Sequence, residues 1–205
     1  MTQRRLMLLV VPLVLIVALL PGCLPVNEPL SDPDKAEPDK RLVGKWQGGK
    51  WWGCDIGDCE IDFPDVKGNP KGLMRAVKHK GEIVDEATYW FFTTKIDKNT
   101  YATICFESRD DRIVSPDFRE EGAFEKWKKG DRRYEICRYK LDEEKLTIHF
   151  GDDNATKKLM QAEKIEDAGS YFKTPPGWLA KYLEKNGPET LYDGTYKAEW
   201  VRAKK

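Results

Sequence analysis

The chain has 205 residues, with 35 basic and 35 acidic side chains, no formal net charge and 40% hydrophobic residues. That length suits one domain. The charge balance gives no electrostatic basis for holding nucleic acid or an anionic surface.

Residues 1–22 read as an export signal. Arg4 and Arg5 make a basic start, Leu6–Leu20 is an uncharged apolar run of fifteen residues, and Leu20-Pro21-Gly22-Cys23 supplies a small-residue cleavage site. As a helix the run would rise about 22 Å at ~1.5 Å per residue, short of a ~30 Å hydrocarbon core. Pro12 and Pro21 weaken a membrane span further. Taking 22 residues from 205 leaves 183; with Arg4 and Arg5 gone, 33 basic face 35 acidic residues, a formal charge of −2. Residues 23–40 then read as a flexible tether, because Pro25–Lys40 (PVNEPLSDPDKAEPDK) is rich in proline and charge and poor in apolar residues.

From Arg41 to Lys205 a single domain is expected, and strand signals dominate it. Leu42–Trp46 opens it. Cys59–Phe63 is short and alternating, and Gly72–Lys80 carries a mixed pattern. Ala87–Ile96 (ATYWFFTTKI) is rich in aromatic and β-branched residues. Asp97-Lys98-Asn99 predicts a hairpin turn into Thr100–Phe106. Tyr134–Leu141 leads through Asp142-Glu143-Glu144 into Lys145–Phe150. There Leu146, Ile148 and Phe150 face one way, and Lys145, Thr147 and His149 the other. Ala155–Ile165 reads as a further strand and Thr195–Ala203 as the closing one.

One helix is well specified. Thr174 can cap it, Pro175 suits its first position, Trp178, Leu179, Tyr182 and Leu183 form its apolar stripe, and Asn186-Gly187-Pro188 stops it. A weaker helix is predicted over Pro116–Lys129, with Asp117 and Glu120 as a capping box. It lies in a charge-dense stretch, Glu107–Arg133, read as a solvated loop or surface helix. The expected fold is mainly β, a small antiparallel barrel or sandwich with one α-helix in the C-terminal region. The expected core is Leu42, Val43, Trp46, Trp90, Phe92, Ile104, Phe106, Ile136, Leu146, Ile148 and Phe150.

Several resemblances add to this. Leu20-Pro21-Gly22-Cys23 resembles the lipobox of bacterial lipoproteins, with Pro21 departing from the residue usual there. The resemblance implies cleavage before Cys23, lipid on Cys23, and a place on the cell envelope outside the cytoplasm. Leu24 after Cys23, by the enteric sorting pattern, points to the outer membrane. Gly44-Lys45-Trp46 resembles the G-x-W motif of lipocalins, in which the Trp closes the barrel bottom. The strand, acidic turn and strand of Tyr134–Phe150 are similar to small lipocalin-like domains of exported bacterial proteins. Cys54 and Cys59 also stand where a copper-stress lipoprotein carries a Cys-x-x-Cys, although four residues separate them here.

With Cys23 set aside, four cysteines remain. Cys54 with Cys59 and Cys105 with Cys137 are the favoured disulfides, against free buried thiols or a metal or redox site. No Ser/His/acid set, G-x-S-x-G, H-E-x-x-H or P-loop stands out. His79 and His149 read as surface residues. The acidic pairs Asp110-Asp111, Glu120-Glu121, Glu143-Glu144 and Asp152-Asp153 read as solvated turns, and the Asp55, Asp58 and Asp62 cluster lacks calcium-loop spacing. Trp51 and Trp52 are the candidate exposed binding surface. The expectation is a lipid-anchored envelope lipoprotein without a cofactor or catalytic set, binding an envelope protein or a small apolar ligand. The alternatives are stress or metal handling through Cys54 and Cys59, or hydrolysis of cell-wall glycan.

Overall fold

A computed structural model describes residues 24–82, 85–109, 112–169 and 171–204. The signal segment, Cys23 and the pair Asp110-Asp111 lie outside the described residues.

Eight strands form the body: β2 (Gly44–Trp51), β3 (Cys54–Asp62), β4 (Met74–Lys78), β5 (Ala87–Ile96), β6 (Asn99–Arg109), β8 (Arg132–Leu141), β9 (Lys145–His149) and β12 (Lys197–Arg202). Each pairs antiparallel with the next, and β12 returns to β2, so the sheet closes into an up-and-down barrel. Short pieces decorate it: β1 (Leu24–Val26), β7 (Arg112–Val114), β10 (Glu166–Asp167) and β11 (Phe172–Lys173). Three α-helices are found among the described residues: α1 (Ala123–Lys128), α2 (Asp153–Ala162) and α3 (Trp178–Asn186).

The barrel wall is apolar on both faces along β5, β6 and β8. One cluster lies outside it, joining Trp90, Phe92, Tyr101, Cys105, Tyr134 and Ile136 to Phe118, Phe124 and Trp127 around α1, Met160 of α2, and Leu179 and Leu183 of α3. The other lies inside, around Trp46, Ile61, Met74, Phe91, Tyr139, Leu146 and Trp200. A strand buried on both faces cannot alternate, which explains the near-continuous runs ATYWFF and TYATICF.

The residues expected to form a tether are folded instead. Leu24 and Val26 are fully buried, and β1 pairs with β8 from Leu24 opposite Ile136 to Val26 opposite Tyr134. Single-turn helices at Pro33–Lys35 and Lys40–Leu42 carry the chain round to β2. The physical reason is that three buried apolar side chains, Leu24, Val26 and Leu30, join the outer cluster and outweigh a proline-rich composition when a ready surface is present.

Three further expectations change. Ala155–Ile165, expected as a strand, is largely α2: Asp152 caps it by accepting from the Ala155 amide at 2.7 Å, and Thr156 and Met160 bury its inner face. α1 is shorter than the Pro116–Lys129 expectation, because Asp117 accepts from the Arg119 amide and guanidinium rather than capping a helix. α3 starts at Trp178, not at Pro175. Thr174 is buried and donates its amide to Asn27 Oδ1 at 2.8 Å, so it fastens the N-terminal segment rather than capping α3. Among the described residues there are therefore three α-helices: α3, the one expected in the C-terminal region, α1, a shortened form of the weaker one, and α2, where a strand was expected.

Candidate functional site: the barrel interior

The lower end of the barrel is plugged. Trp46 is fully buried, and its indole donates to Leu42 O at 2.8 Å. The Arg202 guanidinium lies 4.2 Å from the Trp46 ring centroid and donates to Val43 O at 3.1 Å and Arg41 O at 2.5 Å. Asp39 completes the seal, accepting from Arg41 at 2.7 Å and from the Tyr139 hydroxyl at 2.9 Å. The Arg41 hydrogen bonds, helped by Tyr139, hold the Asp39 carboxyl below the usual carboxylate range.

Above this plug the barrel is hollow, with a cavity of about 200 Å³. The void follows from side-chain size. Three inward positions of the wall carry only a methyl group, Ala76, Ala102 and Ala198, facing larger neighbours such as Ile56, Phe91, Ile148 and Trp200. Trp200 itself can lie flat on β2 only because Gly49 lacks a Cβ. An added Cβ would sit 2.2 Å from the indole nitrogen, which donates to Gly57 O at 3.1 Å.

The other end is rimmed by Trp51, Phe150, Tyr89, Phe106, Lys78 and Glu135. Trp51 stacks on Trp52 at 5.7 Å between centroids, and Trp52 meets Tyr196 at 5.5 Å with the rings tilted by 34°. Trp52 and Gly53 turn the β2–β3 hairpin with φ of 51° and 81°. A bulky residue in that region is uncommon outside functional or strained sites, and Trp52 is 66% exposed. So Trp51 belongs to the cavity wall, while Trp52 stands outside it in solvent. The Trp51 indole nitrogen is buried without a hydrogen-bond acceptor.

Cys59 lines the cavity, and burial pushes its thiol up to about 12. The expected disulfides are not present: Cys54, Cys59, Cys105 and Cys137 are all free thiols. Cys54 and Cys59 sit on the same strand, β3. Five steps along it span roughly 16 Å, against the ~7 Å Cα limit for a disulfide. The same separation prevents them from sharing one metal ion. Cys105 lies in the outer cluster opposite Tyr134, whereas Cys137 pairs with inward-facing Ala102, so the two thiols occupy opposite faces of the wall.

His79 is exposed. His149 is not: it points outward from β9, as its strand phase requires, yet is only 9% exposed, and Gly194 lies over it. Neither ring nitrogen has a hydrogen-bond partner. Burial, with Lys140, Arg138 and Lys197 nearby, holds its pKa below the ordinary value. Neither histidine lines the cavity. None of the described acidic pairs Glu120-Glu121, Glu143-Glu144 and Asp152-Asp153 is on the cavity lining; Asp152 caps α2 and Glu143-Glu144 turn the β8–β9 hairpin at the plugged end. No group of three potential metal ligands occurs among the described residues. The rim residues Lys78, Phe150 and Glu135 were not legible as a site in sequence, since they come from three separate strands or strand ends and share no motif.

Compared with protein-family models, curated proteins and solved structures, the chain finds no match.

Proposed function

We propose that this protein binds a small apolar ligand inside its barrel, in the manner of a lipocalin-like carrier, and does so as a lipid-anchored protein of the bacterial cell envelope. The observation that carries the reading is the hollow interior: about 200 Å³, apolar on nearly every side, sealed below by Trp46 and Arg202. A cavity of ~150 Å³ lined by aliphatic and aromatic groups stays dry and takes benzene. This one suits a single substituted aromatic ring or a short acyl chain. Burying such a ligand against Ile56, Phe91, Ile104 and Ile148 supplies the binding free energy.

The anchor rests on the lipobox resemblance at Cys23. Because Leu24 already lies in β1, acylation of Cys23 would hold the barrel directly at the membrane surface without a spacer. Mass spectrometry of the mature protein then finds an acylated N-terminal Cys23; an unmodified N-terminus elsewhere refutes the anchor.

Calorimetric titration with toluene and 1-octanol tests the carrier reading. Saturable one-to-one binding with a negative heat-capacity change is expected. Absence of saturable binding by both refutes it.

A further inference from the structure

We infer that the ligand of this cavity is an anionic amphiphile, its apolar body inside the barrel and its carboxylate held at the rim by Lys78. The inference rests on the ligand-binding reading and adds the chemical class of the ligand.

Lys78 ends β4, directly opposite Cys59 on β3 and Ala87 on β5, and its side chain lines the cavity beside Cys59 and Ala76. Among the described lysines only Lys78 and Lys128 are not exposed. Lys128 is held by two carboxylates, Asp34 at 3.3 Å and Glu125 at 3.2 Å. Lys78 has no carboxylate within ion-pairing distance among the described residues; the groups that act on it are Asp85 at longer range and the Cys59 thiol. A half-buried ammonium on an apolar wall loses hydration without a counter-ion in return. Burial accordingly pulls its pKa below the ordinary lysine value.

The remaining polar groups of the lining sharpen the choice. Glu135 is the one carboxylate on the lining; it already has an interaction of its own and is not among the charges acting on Lys78. The Trp51 indole N–H is a second donor on the wall with no acceptor. The wall therefore presents donors that lack acceptors. A ligand that brings acceptors, with negative charge at Lys78, satisfies them; a cationic or donor-rich ligand does not. A carboxylate on an ammonium makes a charge-assisted hydrogen bond, about twice as strong as a neutral one.

The test compares octanoate with 1-octanol, which share a chain and differ at the head, on the full chain and on Lys78→Met, which keeps the aliphatic stem. Octanoate is expected to bind the native protein more tightly than 1-octanol. Lys78→Met should weaken octanoate by about tenfold to a hundredfold, the range of a lost hydrogen bond to a charged group, and weaken 1-octanol, whose neutral hydroxyl is the poorer acceptor, by much less. Lys78→Arg should retain the octanoate preference, and thermal unfolding of each variant checks that the barrel is intact. Equal binding of the two ligands, or equal weakening of both by Lys78→Met, overturns the anionic head group while leaving the apolar carrier standing. Failure of both ligands to bind the native protein overturns the carrier reading and this inference together.

Discussion

Ala102→Leu is the sharpest test of the hollow barrel. Ala102 faces inward on β6, opposite Cys137, and contributes only a methyl group to the cavity wall. Leucine adds three carbon groups. If they enter empty space they are removed from water at ~0.8 kcal/mol each, a gross gain of about 2.4 kcal/mol. Fixing the leucine rotamer returns about 0.5–1 kcal/mol, and imperfect contact in a void this size takes more. A net stabilisation of about 1 kcal/mol is expected, or ~2–4 °C in Tm for a domain of this length. In a filled interior the same substitution would force off-rotamer packing and cost about 1–3 kcal/mol. The sign of the change therefore separates the two cases. Urea unfolding of the ligand-free protein measures it, with an unchanged slope required for the comparison to hold. The same substitution should weaken 1-octanol binding by occupying its space. A destabilisation of 1 kcal/mol or more would refute the cavity.

Three other outcomes are expected. Leu183→Ala, at a site 2% exposed under α3, should cost about 2–5 kcal/mol. Trp178→Ala should cost clearly less, because Trp178 is only partly buried and stacks on Tyr182; chemical denaturation of both variants reverses this reading if Trp178 proves the costlier. His149 makes stability depend on pH: its folded pKa lies below its unfolded value near 6.5, so the unfolded chain binds more protons and stability falls as pH drops below about 6.5. His149→Gln should flatten that slope between pH 7.5 and 5, with Lys140, Arg138, Lys197 and Glu199 still in place; an unchanged slope removes His149 as its source. Alkylation of the native protein should modify exposed Cys54 well before Cys59, Cys105 and Cys137, and recovery of any disulfide-linked peptide among these four would contradict the observed geometry.

Local pattern determined a good deal of this protein. The hairpin at Asp97-Lys98, the acidic turn between β8 and β9, and the inward phase of Leu146 and Ile148 all follow from residues next to one another in the chain. So does a helix carrying Leu179 and Leu183 on its buried side. Buried aromatic and branched residues such as Trp46, Trp90, Phe92 and Ile136 were legible because strands select them. Other features needed the assembled barrel. Val43, Ile104, Ile148 and Phe150, expected in the core, are only partly buried; the last three line a void that exists because Ala76, Ala102 and Ala198 converge from three strands. The Pro25–Lys40 segment looked too polar to fold, and folds because its few apolar residues meet the outer face of β8 and its neighbours. Cys54 and Cys59 looked like the two ends of a loop until pairing with β2 stretched the residues between them into a strand. Arg202 meets Trp46, and Lys78 faces the cavity, only because closure brings the last strand beside the first and turns alternate residues inward. Periodicity within a segment assigns a side chain to a face; which face is buried, and what it meets there, is decided by non-local pairing that no single segment contains.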